Sequence, residues 1–388
     1  MIKMIRVGAF GEARFPHLHK AFERNFEESG EVGASFAVVE KGNLVASFWG
    51  GTKYDASANA AVEQAEWTRD TLVNVWSTTK GVTAACVAML VDRGLIGFDT
   101  PIAEFWPAFG NGAKKKITLA MLMSHQAGLC GFREPIVVHD LFDLQWAANH
   151  LAEMDPFWTP GEGHGYHAIT IGLLASELFR RVEGRTLKTF VSDELFGGYG
   201  LDIHIGLPVS LAARGSDVIA PSTLSSQAYA TDFSDLQRAA LLNPLMSPDV
   251  ANTAGWKAAD IPSANGFATA EGLAFLYGAL ANDGLLAGKK LIGEAALAGA
   301  IAPRTPKAVD HVLTLETQWA SGFLCNTLNL YGPNKAAFGH SGWGGSFAFA
   351  DRDRKIACAY TMNKMGTDLV GEPRAMSLVN ALYQDLDQ

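Results

Sequence analysis

Patterns of period two stand at both ends of this 388-residue chain and patterns of helical period fill its middle, an order that admits few folds. Near the start, Gly33-Ala-Ser-Phe-Ala-Val-Val39 and Leu44-Val-Ala-Ser-Phe-Trp49 flank Glu40-Lys-Gly-Asn43, and two β-rich runs across a glycine-containing turn predict an antiparallel hairpin. Thr71-Leu-Val-Asn-Val-Trp76 is a third extended run. Strands return at Gln318–Cys325, Gly344–Ala350 and Lys355–Thr361, the last two flanking a hairpin turn at Asp351-Arg-Asp-Arg354. Between them the period becomes helical. Thr79 to Arg93 is a long apolar helix stopped by Gly94, and shorter helices are predicted over Leu119–Ser124, Leu141–Met154 and Thr170–Val182. Two further helices bracket the chain. Phe15, Leu18, Phe22 and Phe26 form one apolar face ahead of Gly30, and a last helix is expected over 368–386.

Hairpins at both ends, rather than alternating strand–helix units, predict an α+β fold. An antiparallel sheet drawn from both chain ends is flanked by the terminal helices, with a mostly helical domain inserted. The sheet domain is expected from 1–101 and 301–388, and the helical domain from 102–300. A pocket is expected at their interface. No repeat of roughly 20–50 residues is visible, which excludes a solenoid.

Hydrophobic residues are 48% of the chain, charged residues 18%, and the net charge is −9. That composition fills a core, excludes wholesale disorder, and lacks the basic surface of a nucleic-acid binder. The one basic run, Lys114-Lys115-Lys116, is expected on a solvated loop. Cys86, Cys130, Cys325 and Cys358 form no C-x-x-C pair, so no thiolate metal or redox centre is suggested, and Cys86 and Cys358 read as buried thiols. Met1-Ile-Lys-Met-Ile-Arg6 lacks the apolar core of a leader peptide, and no apolar run reaches the ~18 residues of a membrane span. The expectation is a cytoplasmic protein with no membrane span; oligomeric state is not legible.

Three segments carry candidate chemistry. In Ser77-Thr-Thr-Lys80 the serine falls where the third extended run gives way to the long helix. Positions i and i+3 share a helix face, so Lys80 reaches the Ser77 hydroxyl. A desolvated lysine loses its proton readily and serves as a base, the serine–lysine form of nucleophilic catalysis. Alone, the same residues also describe an N-cap serine followed by a surface lysine. Tyr166 follows a Pro160-Gly161 turn and further glycines; a phenol beside a lysine ammonium loses its proton more easily and relays protons. The third is Phe338-Gly-His-Ser-Gly-Trp-Gly-Gly345, ahead of a strand, where glycines let a substrate approach an edge-strand backbone and a strand N–H serve an oxyanion. Ser341 is not read as a nucleophile, because Trp343 stands where a nucleophile elbow needs glycine. His164 and His167 lack a third ligand in metal spacing, and no phosphate-binding loop is present.

In order and spacing, Ser77-x-x-Lys80, Tyr166 and His340-Ser-Gly342 resemble the serine β-lactamase and penicillin-binding-protein superfamily. Leu122-Met-Ser-His-Gln-Ala-Gly-Leu129, Pro160-Gly161 and Pro262-Ser-Ala-Asn-Gly-Phe-Ala-Thr-Ala270 are similar to segments of its class C-like members. The resemblance runs from about residue 15 to 385. It departs at two places: Ala168 stands where class C enzymes carry the asparagine of Tyr-x-Asn, and His340 where they carry the lysine of Lys-Thr-Gly. In that class these two side chains hold the amide and the carboxylate of a β-lactam. Their loss, and the Trp343-Gly-Gly345 run, make family VIII carboxylesterases the closest likeness.

The resemblance implies a β-lactamase/transpeptidase-like fold and a serine hydrolase cleaving small uncharged esters. Ser77 would carry the acyl group, with Lys80 and Tyr166 as general base and acid. The backbone N–H groups of Ser77 and Trp343 would hold the oxyanion. His340, Gly342, Trp343, Trp158 and Phe132 are the expected substrate-binding residues. No metal or organic cofactor is needed, and the expected partner is a small-molecule ester. An acyltransferase, an amide hydrolase or D-aminopeptidase, and a weak β-lactamase share the scaffold, and a non-catalytic binding module is the reading from a different class.

Overall fold

The computed structural model describes residues 7–57, 65–221 and 232–388; the segment 1–6, read above for a leader, lies outside them. The helices that position the site are α1 (Pro16–Glu28), α2 (Thr79–Asp92), α3 (Leu144–Glu153), α4 (Thr170–Glu183), α5 (Ala270–Ala281) and α6 (Pro373–Leu386). The main sheet has seven antiparallel strands: β1 (Val7–Phe10), β2 (Gly33–Glu40), β3 (Asn43–Gly51), β4 (Leu324–Cys325), β5 (Phe338–Ser341), β6 (Phe347–Asp351) and β7 (Ile356–Met362). Their order across the sheet is β1-β3-β2-β7-β6-β5-β4. The N-terminal hairpin therefore meets the C-terminal one in the middle, where Phe36 of β2 lies opposite Tyr360 of β7. Strands from both chain ends share one sheet, as the two-ended pattern predicts.

The helices cover both faces of this sheet. Phe48 on β3 packs against Phe22 of α1, with ring centroids 6.1 Å apart. Its neighbour Ser47 donates a 2.6 Å hydrogen bond to Glu271 of α5. Successive strand residues point to opposite faces, so α1 and α5 lie on opposite sides. The terminal helices α1 and α6 pack together. Phe15 at the N-cap of α1 offers no capping side chain. Asp385 near the end of α6 takes that role, accepting from the N–H groups of His17 (3.1 Å) and Leu18 (2.9 Å).

Helix α5 lies within 102–300 yet packs on β2, β6 and β7, so that stretch contributes a structural helix to the sheet as well as the helical region. On its other side α5 meets α2. A Cβ on Gly81 would fall 1.8 Å from the Tyr277 hydroxyl, and one on Gly278 would fall 2.5 Å from Val39. Only glycine at both positions lets α2, α5 and the sheet close up. Helix α2 is buried from Thr79 to Leu90, on every face. A helix apolar all round belongs in the interior rather than on a surface.

Several expected elements are corrected. Leu72–Asn74 joins a separate four-stranded sheet with Ile203–Ile205, Gly215–Ser216 and Gly266–Ala268. The run 318–325 is not one strand: it turns at Gly322, whose φ of +94° closes a bridge between Trp319 and Leu324. Phe338–Ser341 is itself a strand, and the turn is only the following five residues. Helix α6 begins at Pro373 rather than near 368, because proline favours the first helical turn and Glu372 caps it through the Ala375 N–H. Lys114 is not solvated. It is buried with its ammonium donating to the carbonyls of Ala152 and Met154 at the end of α3, which satisfies acceptors the helix leaves open. All four cysteines are free and buried. Among the described residues no helix is long and apolar enough to cross a membrane.

The chain ends are also joined by charge. Arg374 of α6 donates to Glu31, just before β2, at 2.9 Å, and Tyr360 of β7 donates to the other Glu31 oxygen. Both charged side chains are almost wholly buried. Arg374 also donates to the buried Glu372 at 2.8 Å, so losing Arg374 leaves two buried carboxylates without their cation, whereas losing Glu31 leaves Arg374 one carboxylate. Arg374→Ala is expected to cost about 3–5 kcal/mol in denaturant unfolding, and Glu31→Ala less. The double variant should fall well short of the sum, and additive losses would show that the pair is not coupled.

Candidate active site

Ser77 sits in a single 3-10 turn, Trp76–Thr78, that leads into α2. Trp76 before it has φ = +47°, a left-handed conformation that a tryptophan adopts only when its surroundings enforce it. The enforcement is visible. The Thr79 hydroxyl donates to the Trp76 carbonyl at 2.5 Å and accepts from the Gly266 N–H at 2.9 Å, while the Val75 N–H donates to the Gly266 carbonyl at 2.8 Å. The Trp76 ring packs between Trp256 (5.4 Å) and Trp343 (5.1 Å). The turn that presents Ser77 is thus pinned by the small sheet and by aromatic contacts.

Lys80 follows one turn later, with Nζ 2.9 Å from Ser77 Oγ. Nζ also lies 2.7 Å from the Ala168 carbonyl and 2.9 Å from the Ser263 carbonyl. Burial pulls the Lys80 ammonium well below its ordinary pKa of 10.5, and no carboxylate opposes that shift. A neutral amine has two N–H donors and one lone pair. Two carbonyls take the donors, so the lone pair is left for the Ser77 hydroxyl proton. The arrangement suits a base, not an ion-paired surface lysine.

The Tyr166 ring lies 4.9 Å from Lys80 Nζ, and its phenol is hydrogen-bonded to Ser77. The loop bearing it is held by Asp310, whose Oδ1 accepts from the N–H groups of Tyr166, Val312 and Leu313, each at 2.9 Å. Trp319 stacks on the Tyr166 ring at 5.7 Å and donates its indole N–H to Asp310. One expectation is reversed: burial raises the Tyr166 phenol above its ordinary value, and the Ser77 hydrogen bond offsets this only in part. Burial therefore favours the neutral phenol of Tyr166 over a tyrosinate.

The histidines around this centre are neutral. His340 on β5 is pushed down to about 3 by burial and then by Lys80. Its Nδ1–H donates to the Ser341 carbonyl at 2.9 Å. His167 is pushed down to about 4 by burial; its Nδ1–H donates to the Gly165 carbonyl and its Nε2 accepts from the Leu129 N–H. Both His167 ring nitrogens are thus committed to backbone. Among the described residues no group of three metal-ligating side chains comes together.

A cavity of about 210 Å³ opens over Ser77. Its described walls include Trp76, Tyr166, Ile169, Leu241, Trp319, His340 and Trp343, and they contain no lysine, arginine, aspartate or glutamate. Ser77, Tyr166, His340 and Trp343 are thus brought together. Gly342 does not line the cavity. A Cβ there would fall 2.3 Å from the Val75 carbonyl, so glycine lets the 342–346 turn close on the Ser77 turn. Two expected wall residues lie elsewhere. Phe132 is buried beside Trp146 and His150 of α3, where its ring stacks, and Trp158 packs against His167 and His311. Their local packing turns both rings to these neighbours. Sequence reasoning also missed Asp310 and Ser263. Ser263 acts through its carbonyl, for which a side-chain pattern holds no signal. Asp310 is an isolated acid in a loop.

Comparison with known proteins agrees with this geometry. The sequence model of the family described as Beta-lactamase matches residues 20–381. Esterase/beta-lactamase LipL of Mycobacterium tuberculosis (strain ATCC 25618 / H37Rv) is 32% identical over 375 residues, 94% of this chain and 85% of that protein. A penicillin-binding protein homologue from Caulobacter crescentus is 40% identical with a TM-score of 0.90, over 98% of this chain and 100% of its own. A structure described as a family VIII carboxylesterase is 38% identical with a TM-score of 0.90 over the same shares. The serine, the buried lysine and the tyrosine therefore stand in a scaffold shared along the whole length, and the chain belongs to the beta-lactamase family, within the serine β-lactamase and penicillin-binding-protein superfamily of hydrolases.

Proposed function

We propose that this protein is a carboxylesterase that hydrolyses small uncharged esters through an acyl-enzyme on Ser77. The observation that carries the reading is the Lys80 amine, 2.9 Å from Ser77 Oγ with its two N–H donors taken by the Ala168 and Ser263 carbonyls. Ser77 Oγ attacks the ester carbonyl while Lys80 takes its proton. Tyr166 gives its phenol proton to the leaving alkoxide and recovers one from the Lys80 ammonium. The oxyanion is held by the N–H groups of Ser77 and Trp343. Water then attacks the acyl group by the same steps in reverse, which returns free Ser77.

The cavity wall supports uncharged esters over β-lactams. A carboxylate entering an apolar site without a cation loses its hydration and gains no partner. His340, held neutral, supplies no positive charge where a lysine would. The names of relatives support an esterase without separating it from a β-lactamase: one structural neighbour is described as a family VIII carboxylesterase, while LipL is described as an esterase/beta-lactamase.

Ser77→Ala should abolish turnover of p-nitrophenyl butyrate, and wild type should turn over p-nitrophenyl hemisuccinate and a chromogenic cephalosporin far more slowly. Efficient cephalosporin turnover would show that the wall reading is wrong. Lys80 acts only when neutral, so kcat/KM should rise with pH along a single-proton acid limb and level off well below pH 10.5. Tyr166→Phe should lower kcat about 10²–10⁴-fold and leave that limb in place; a limb that moves with Tyr166 would assign the base to tyrosine. Gly342→Ala pushes the turn off the Val75 carbonyl, so kcat should fall about 10²–10³-fold, the cost of losing one oxyanion donor.

A further inference from the structure

Tyr166 stands on a loop, outside any helix or strand, so its backbone must be fixed by other contacts. Three consecutive N–H groups supply them. Gly165 donates to the His125 carbonyl at 3.1 Å, Tyr166 to Asp310 Oδ1 at 2.9 Å, and His167 to His125 Nδ1 at 3.1 Å. One histidine therefore grips the chain on either side of the tyrosine, with its carbonyl before it and its ring after it.

His125 lies in the Leu122–Leu129 segment and does not line the cavity over Ser77. It is fully buried, and its φ of +63° falls in the left-handed region, which histidine enters more readily than most side chains. In that conformation its carbonyl and its ring both face residues 165–167. Burial pushes the ring well below the ordinary histidine value of 6.5, so it stays neutral and Nδ1 keeps the lone pair that the His167 N–H requires. The ring also backs two aromatic walls of the site. It lies 5.1 Å from the ring of Tyr166 and 4.3 Å from that of Trp319, which stacks on Tyr166.

We propose that His125 is a positioning residue for Tyr166. By holding the N–H groups of Gly165 and His167 it sets where the phenol stands, and so how well Tyr166 protonates the leaving alkoxide. The proposal rests on the esterase reading of the site. Ser77 is pinned separately, by the turn into α2 and the Gly266 strand, so loss of the grip falls on the proton donor rather than on the attacking oxygen.

The test uses the leaving group. kcat/KM reports acylation, in which p-nitrophenolate departs without a proton whereas ethoxide needs one. It is measured for p-nitrophenyl butyrate and ethyl butyrate on wild type, Tyr166→Phe, His125→Phe, His125→Gly and His125→Asn. His125→Phe keeps a ring and removes the acceptor. His125→Gly removes both but adopts the left-handed turn without strain. His125→Asn loses the ring, keeps an acceptor oxygen and tolerates the turn. The Phe and Gly variants should lose about 10–100-fold on ethyl butyrate, the scale of a misplacement near 1 Å, and less than about threefold on p-nitrophenyl butyrate. Tyr166→Phe should show the same selectivity, and His125→Asn should recover most of the ethyl ester rate. Equal losses on both esters overturn the proposal, because they mark a general defect or a shift of Lys80, whose Ala168 partner adjoins the loop. So does the absence of a selective loss, or an Asn variant as slow on ethyl butyrate as the Phe variant. Wild type inert on both esters would sink the esterase reading alone. Crystal structures of wild type, His125→Gly and His125→Asn then decide His125: a Tyr166 hydroxyl displaced by more than about 0.5 Å only in the Gly variant supports the positioning role, and an unmoved hydroxyl overturns it.

Discussion

Everything at the site depends on burying one lysine without an anion. Lys80 is almost fully enclosed, and the groups around its nitrogen are two carbonyls and the Ser77 hydroxyl. A charged ammonium in that setting would lose hydration without a counter-ion, so the fold favours the neutral amine. The same preference opposes folding. Between the folded and the unfolded pKa the unfolded chain protonates this lysine while the folded chain does not, and each unit of depression costs about 1.4 kcal/mol. That penalty grows as pH falls from the unfolded value to the folded one, and is constant below it. The surrounding core must offset it, which gives a physical reason for α2 to be buried on every face and wedged against α5 through Gly81.

Strain at Trp76 belongs to the same arrangement. A left-handed tryptophan costs on the order of 1–3 kcal/mol, and it is held by hydrogen bonds from Thr79 and by two tryptophan rings. It sets the direction in which Ser77 leaves the turn. The contacts that hold it come from the strand Gly266–Ala268 and from the 342–346 turn, far apart in sequence. Ser77 is therefore placed where the two chain regions meet, and neither region alone defines its geometry.

This explains which parts were legible in the sequence. Side-chain patterns carried the hairpin at 33–51, the helix at Thr79 and the Ser77–Lys80 spacing, because each depends on local period or on residues three apart. The antiparallel sheet from both chain ends was legible because the strand patterns cluster there. The small sheet was not: Leu72–Asn74 has the same pattern whichever sheet it joins, and its partners lie more than a hundred residues away. Lys114 looked like part of a solvated charge run, since nothing local shows that the end of α3 needs a donor. Backbone roles such as the Ser263 carbonyl leave no trace in side-chain identity. Where Phe132 and Trp158 pack was not legible either, since the ring's direction is set by neighbours such as Trp146, His150 and His311 that no local pattern names.

The departures at Ala168 and His340 have a common consequence. Ala168 contributes its carbonyl to Lys80 and brings no polar side chain to the cavity wall. His340 brings an imidazole whose charge is suppressed by burial. A cation at residue 340 would stabilise a tyrosinate at Tyr166 and raise the cost of protonating Lys80, and would thus blur which group is the base. With the imidazole neutral, nothing at residue 340 favours a tyrosinate, and Lys80 owes its lowered pKa to burial. Exchanging a charged residue for a neutral one at this place thus alters two things together: the charge of the cavity wall, and the field that acts on the protons of Lys80 and Tyr166.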